Sequence, residues 1–141
     1  MEEVTIKSFR DLLVWQQGVQ LAVSIYRATE IMPRAEQYGL TSQMRRAAVS
    51  VPANVAEGCA REHTGEFLQG VNIAAGSLAE LETHLVIAKE LGYLSDTREF
   101  EQVTSEIGKM LNGLHRSLAA RKAATSRQVV KSGGRPRSTE H

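Results

Sequence analysis

Four blocks of apolar residues recur at alternating spacings of three and four positions, and this periodicity limits the chain to a helical fold. Such spacing places each block on one side of an α-helix, whereas a half-buried strand alternates every second residue. The predicted core positions are Leu12, Trp15, Val19, Ala22, Tyr26 and Thr29 in the first helix, Val71, Ala74, Leu78, Leu81, Leu85 and Ala88 in the third, and Phe100, Val103, Ile107, Met110 and Leu114 in the fourth.

Residues that commonly begin or end helices flank these blocks. Asp11 is placed to cap the first helix, Gly92 to end the third, and Asp96 with Glu99 to form a capping box before the fourth. The segments between the blocks are short, so consecutive helices should be antiparallel neighbours. The sequence therefore predicts an all-α fold, an antiparallel up-down four-helix bundle.

The second block has a distinct apolar side and a distinct polar side. Its apolar side, within an arc of about 120°, consists of Leu40, Met44, Ala47, Ala48, Val51, Val55 and Cys59. The opposite side carries a polar stripe, which spans about 80° and consists of Gln43, Arg46, Ser50, Asn54, Glu57 and Arg61.

Pro52 interrupts this second helix, where an interior proline costs about 3 kcal/mol because it removes one backbone hydrogen bond and crowds the carbonyl of residue 48. Ser50 or Asn54 is predicted to satisfy that carbonyl, with the helix kinked near Ser50. Gly58 either allows another backbone to approach closely or ends the helix early.

Two interpretations of the polar stripe remain open at the level of sequence. In the first, it is a solvated face on which Glu57 and Arg61 form an i,i+4 ion pair. In the second, it contacts another subunit or a ligand, because short polar side chains in an ordered row specify geometry.

The third helix carries further apolar residues on the side away from its predicted core. This apolar row consists of Ile73, Ile87 and Leu91. The three lie within about 40° of one another, with Gly76 alongside. Since a monomer rarely exposes such a row, we predict that it is an oligomer interface. The alternative is that the fourth helix or the N-terminal residues Val4, Ile6 and Phe9 cover it.

Charge is unevenly divided along the 141 residues, although the net charge is only +1. Residues 121–141 hold six basic residues and one acidic residue, whereas residues 1–120 hold eleven basic residues and fifteen acidic ones. The end of the chain is also rich in Gly and Ser and poor in large apolar residues. We therefore predict a bundle over residues 1–122 and a disordered basic tail over 123–141, which either attracts polyanions or is simply solvated.

Several classes of function find no support in the sequence. Cys59 cannot form an internal disulfide, and its apolar side of the helix predicts an inert thiol. Glu-x-x-His pairs, a glycine-rich phosphate loop and a membrane-spanning run of about 20 apolar residues are all lacking. We expect a cytoplasmic protein without a leader, enzymatic activity, cofactor, metal or small-molecule substrate.

The stretches "LTSQMRRAAVSVPANVAEGCAR" and "IAAGSLAELETHLVIAKELGYL" resemble the four-helix-bundle family named for intervening sequences in 23S ribosomal RNA genes. The resemblance begins near "LLVWQQ", ends near Arg121, and includes a specific Ser-x-Pro-x-Asn-x-x-Glu-Gly motif. The matching residues are Trp15, Pro33, Gln43, Arg46, Ala47, Ser50, Pro52, Asn54, Glu57, Gly58, Arg61, Gly76, Ser77, Glu80 and Glu82.

This resemblance implies a ring-like homopentamer without an established enzymatic activity. It also implies a relative, the accessory subunit of diversity-generating retroelements, which binds a reverse transcriptase and nucleic acid. Those subunits are strongly basic, whereas residues 1–120 of this chain are net acidic.

Three hypotheses about function follow. The first is an oligomeric adaptor for RNA, DNA or a nucleic-acid enzyme, with Arg45, Arg46, Asn54 and Arg61 as the binding residues. The second is a purely structural homo-oligomer with protein partners only, in which Arg46 pairs with Glu57 or Glu80. The third is a small-molecule or catalytic role at the axis of a ring.

Overall fold

The computed structural model describes residues 8–132, which form four α-helices, three short 3₁₀ helices and no strand. The α-helices are α1 (Leu13–Ala28), α2 (Leu40–Ala60), α3 (Thr64–Glu90) and α4 (Arg98–Ser132). The predicted all-helical fold with four helices is confirmed. No helix within the described residues combines the length and apolar composition needed to span a membrane.

The buried core confirms the predicted apolar sides of α2 and α3. All six predicted core positions of α3 are buried, as are the five central ones of α2 from Met44 to Val55. Leu40 and Cys59, at the two ends of α2, are partly buried against the same core. Because α2 and α3 pack on each other along most of their length, their inner faces could be identified from helical spacing alone.

The predicted core positions of the first and fourth helices are confirmed in part, since Leu12, Ala22, Thr29 and Ile107 are buried. In α1 the buried residues are Val14, Gly18, Leu21, Ala22 and Ile25, while Trp15 and Val19 are partly buried and Tyr26 is exposed. In α4 the buried residues are Thr104, Ile107, Leu111 and Leu118, while Phe100, Val103, Met110 and Leu114 are partly buried. In α1 the side that faces α2 includes Gly18, which lies against Pro52 because it has no side chain.

The helix ends agree with the sequence in part. Gly92 has a φ of 77° and ends α3, as predicted. The Asp96 carboxylate accepts the Arg98 backbone N–H at 3.0 Å, and the Arg98 side chain helps to lower the pKa of Asp96 to about 2. The predicted cap of α1 is wrong, because Leu12 rather than Asp11 occupies the cap position and forms no side-chain cap bond.

Helix α4 continues ten residues beyond the predicted end of the bundle at 122. Residues 123–132 lie in α4, whereas the sequence predicted disorder from residue 123. Residues 133–141, the remainder of the predicted tail, lie outside the described residues.

Two glycines bring α2 and α3 into backbone contact. A Cβ on Gly58 would lie 2.9 Å from the Glu66 carbonyl oxygen and 3.2 Å from the Gly70 Cα, and a Cβ on Gly70 would collide with the Asn54 carbonyl oxygen. Of the two predicted roles for Gly58, close approach of another backbone is therefore confirmed. Two residues after it, α2 ends at Ala60.

We expect Gly70→Ala to destabilise the fold by about 2 to 3 kcal/mol, because the added methyl group meets backbone atoms that cannot move independently. The free energy of unfolding in urea measures this change. Gly113→Ala is the matched control, since a Cβ there meets no atom within 4 Å, and it should stabilise α4 by about 0.5 to 1 kcal/mol. Equal effects of the two substitutions would contradict the close contact.

Candidate interaction face

Pro52 lies inside a continuous α2 and is buried against α1. A Cβ on Gly18 would lie 3.2 Å from the Pro52 Cβ, so the proline ring packs directly on the α1 backbone. The Asn54 side-chain amide donates to the Ser50 carbonyl at 2.8 Å. Asn54 thus bonds the Ser50 carbonyl rather than the Ala48 carbonyl that Pro52 leaves free, which differs from the prediction. The predicted kink near Ser50 stays a prediction.

The polar stripe divides into an inner pair and an outer group. Ser50 and Asn54 are half-buried, and the Ser50 hydroxyl hydrogen-bonds the Ser77 hydroxyl of α3 at 2.7 Å. The Asn54 amide donates to that same Ser50 hydroxyl at 2.8 Å. These three side chains link α2 to α3, so the inner part of the stripe is structural.

The outer residues of the polar stripe are exposed: Gln43, Arg46, Glu57 and Arg61. Arg61 and Glu57 form the predicted i,i+4 ion pair at 3.4 Å, with well over half of each side chain in solvent. Such a pair contributes a few tenths of a kcal/mol to helix stability. It leaves both side chains accessible to a partner.

Arg45 and Arg46 are adjacent in sequence but have different surroundings. The Arg45 Nε donates to the Thr29 hydroxyl at 2.9 Å, its Nη2 donates to the Tyr26 carbonyl at 3.1 Å, and its guanidinium lies 4.6 Å from the Tyr26 ring centroid. Arg45 therefore binds the C-terminal end of α1, where free carbonyls favour a cation. Arg46 is exposed and forms no ion pair with Glu57 or Glu80 within residues 8–132.

The apolar row of α3 is open to solvent in the described chain. Ile73 is 47% exposed, Ile87 is 40% exposed and Leu91 is 55% exposed. A Cβ on Gly76, beside the row, would meet no atom within 4 Å. Helix α4 therefore leaves the row uncovered, and Phe9 packs on Trp15 instead. Val4 and Ile6 lie outside the described residues.

His84 lies on α3 between Ile73 and Ile87 and was not singled out by sequence reasoning. Its Nε2 lies 3.2 Å from a Glu80 carboxylate oxygen, while its Nδ1 is buried and lacks a hydrogen-bond partner within residues 8–132. The sequence could have indicated its location, because His84 follows Ser77 by seven residues and the two therefore lie on the same side of α3. His84 therefore adds an unsatisfied polar atom close to the apolar row.

The polar stripe and the apolar row meet in a shallow depression of about 280 Å³ between α2 and α3. The side chains around it include Asn54, Glu57 and Arg61 from the stripe and Ile73 from the row. We call the stripe and the row together the interaction face. A second surface groove, of about 480 Å³, runs between α1 and α2 beside Val19, Val23 and Val49.

Reactive groups contribute little to this face. Burial raises the pKa of the Cys59 thiol, as its predicted apolar environment requires. Within residues 8–132, no three His, Cys, Asp or Glu side chains lie close enough together to hold a metal ion. The geometry of the face is that of a binding surface with an apolar part and a polar part.

We expect Arg45→Ala to lower the free energy of unfolding by about 1 to 2 kcal/mol, because the Tyr26 carbonyl and the Thr29 hydroxyl lose a charged donor. Arg46→Ala is the matched control and should change stability by no more than about 0.5 kcal/mol. Urea denaturation of both variants measures the difference. A larger loss for Arg46→Ala would show that the structural roles of the two arginines are reversed.

Comparison with known proteins gives a family and a fold. The family model for the 23S rRNA-intervening sequence protein matches residues 10–113. A protein of unknown function from the S23 ribosomal protein family of Bacteroides thetaiotaomicron has a similar structure, with a TM-score of 0.63 and 22% sequence identity. That match covers 73% of this chain and 98% of the other, and at this identity it concerns the fold alone. None of the curated proteins compared with the chain matches it.

Proposed function

The chain belongs to the family of 23S rRNA-intervening sequence proteins, and we propose that it is a non-enzymatic adaptor that works as a homo-oligomer. The observation that carries this proposal is the interaction face, where an uncovered apolar row adjoins an ordered polar stripe. Its partners would be nucleic acid or a nucleic-acid enzyme in addition to other copies of the chain.

The apolar row supplies the driving force for self-association. Ile73, Ile87 and Leu91 each leave roughly half of the side chain in water. Because complete burial of such a side chain is worth about 1.5 to 3 kcal/mol, covering the exposed part yields roughly 1 kcal/mol for each. Three residues in every copy therefore favour an assembly.

The polar residues around the row supply specificity. Arg46, Glu57 and Arg61 are exposed beside it, and the buried Nδ1 of His84 still lacks a partner in the described chain. An interface with an apolar centre and a polar rim is typical of specific protein contacts. A neighbouring copy could satisfy these groups while it covers the row.

The α1–α2 groove is a second apolar surface that could receive the row of a neighbouring copy. Contact between two different surfaces of the same protein is heterologous, and it closes into a ring when the rotation between copies allows. This geometry supports the homopentamer that the family resemblance implies. The pairing of Ser50 with Ser77 and of Gly58 with Gly70 supports the antiparallel order of α2 and α3.

A purely structural homo-oligomer with protein partners only is the second candidate. Two observations favour it: Arg45 binds the end of α1, and residues 1–106 hold fifteen acidic residues against nine basic ones. Of the four proposed binding residues, Arg45, Arg46, Asn54 and Arg61, the exposed cations are therefore Arg46 and Arg61. Their few contacts become useful to an adaptor when several copies act together, because multivalent binding increases overall affinity.

We expect light scattering to give a mass near five times 15.5 kDa and Ile87→Glu to lower it toward that of one chain. The reason is that a carboxylate placed in the interface would be buried without a partner, at a cost of several kcal/mol for each contact.

Val86→Glu is the matched control, since Val86 is the preceding residue, is 57% exposed and points away from the row. It should leave the mass unchanged. A wild-type monomer at micromolar concentration would contradict the proposal. Dissociation by both variants would instead indicate damage to α3, which circular dichroism would detect.

A further inference from the structure

Helix α4 concentrates positive charge from residue 107 onward. Residues 107–132 contain six basic residues and no acidic one: Lys109, Arg116, Arg121, Lys122, Arg127 and Lys131. Residues 1–106 have the opposite balance, with fifteen acidic and nine basic residues. The bundle and the end of α4 are therefore electrostatically distinct parts of one protein.

The end of α4 extends beyond the apolar core of the bundle. Among the side chains of α4 described up to residue 129, Leu118 is the last buried one, and every residue from 120 to 129 is exposed. We call residues 119–132 the basic arm, which at 1.5 Å per residue is roughly 21 Å long. The family match ends at residue 113, so the arm lies outside the part of the chain that defines the family.

The basic residues of the arm are distributed around its circumference. At about 100° per residue, Arg127 is on the side opposite Leu118, in line with Arg116 about three turns before it. Arg121 and Lys122 lie about 60° and 40° to either side of Leu118, and Lys131 lies about 140° from it. The Lys122 Nζ is close to the start of α3, 3.7 Å from the position of a Cβ on Gly65. Four alanines at 119, 120, 123 and 124 keep the arm slender between them.

We propose that the basic arm binds duplex DNA by lying in the major groove, an inference that rests on the proposed function and assigns its nucleic-acid contact to one segment. A B-form major groove is about 12 Å wide and admits an α-helix, whose basic side chains then reach the phosphates on both walls. The major groove of A-form RNA is too narrow for this.

The composition of the arm distinguishes this partner from a lipid surface. Membrane-surface helices need a large apolar face opposite their charges. The arm contains two large apolar residues, Val129 and Val130, which are too few for such a face. The arm is therefore suited to a polyanion whose phosphates lie on both sides of it.

The first experiment measures binding of the full chain to a fluorescent DNA duplex of about 20 base pairs, which exceeds the roughly 21 Å length of the arm. Fluorescence anisotropy is recorded at several salt concentrations from about 50 mM upward. The arm variant Arg121→Gln/Lys122→Gln/Arg127→Gln should flatten the slope of log K against log salt by about 2.7, since each phosphate contact contributes about 0.9.

The matched control removes three exposed charges from outside α4: Arg10→Gln/Arg34→Gln/Lys89→Gln. It changes the net charge by the same amount and should leave the slope unchanged. If both triple variants flattened the salt dependence equally, the assignment of DNA binding to the arm would be overturned. Such a result would show that DNA affinity depends on the net charge of the protein alone.

The second experiment tests the helical conformation of the arm at constant charge. Ala124→Pro breaks the helix between Lys122 and Arg127, and we expect it to weaken duplex binding at least tenfold. Ala124→Ser, the control, should stay within twofold. Circular dichroism and thermal unfolding verify that the bundle of both variants is intact. Unchanged binding by Ala124→Pro would overturn groove binding by a helix.

Parallel titrations with double-stranded RNA of the same sequence and with anionic phospholipid vesicles identify the partner. Weaker binding to both than to DNA supports the inference. Equal or tighter binding to either one, or no DNA binding at about 50 mM salt, overturns it. Light scattering of the same samples measures the mass of the assembly. A loss of DNA binding by the arm can therefore be distinguished from the absence of the proposed oligomer.

Discussion

The backbone contact between Gly58 and Gly70 is the constraint on which the arrangement of the structure depends. Side chains at either position would keep α2 and α3 apart, because the atoms they would meet belong largely to the opposite backbone. The close approach also sets the register of the two helices, and in that register the Ser50 and Ser77 hydroxyls meet. The inner part of the polar stripe is consequently half-buried between the helices, while its outer residues border the apolar row.

Pro52 gives α2 a second close contact, on the side that packs against α1. Its ring lies on Gly18, and Arg45 binds the other end of α1 through Tyr26 and Thr29. An interior proline normally weakens a helix because it lacks an N–H, but here its ring is buried against α1 and α2 continues through it. Helix α2 therefore positions both neighbours, which explains why its apolar side contains so many small residues.

Assembly and nucleic-acid binding, as proposed here, would use physically separate parts of the chain. Self-association would depend on burial of apolar area at the interaction face and would change little with salt. DNA binding would depend on the charges of the basic arm and would weaken steeply as salt rises. The acidic bundle would repel a polyanion, so a helical arm that carries the cations away from the core reconciles the two activities.

Local spacing in the sequence determined the number of helices, the inner faces of α2 and α3, the Glu57–Arg61 pair and the end of α3 at Gly92, because each depends on residues within a few turns of one another. Tertiary structure decided the rest. The side of α1 that faces α2 includes Gly18, which lies against Pro52, and the role of Arg45 follows from a partner sixteen residues away. Composition suggested disorder after residue 122, yet α4 continues there, because a helix already nucleated inside the bundle extends through alanines and basic residues at little cost.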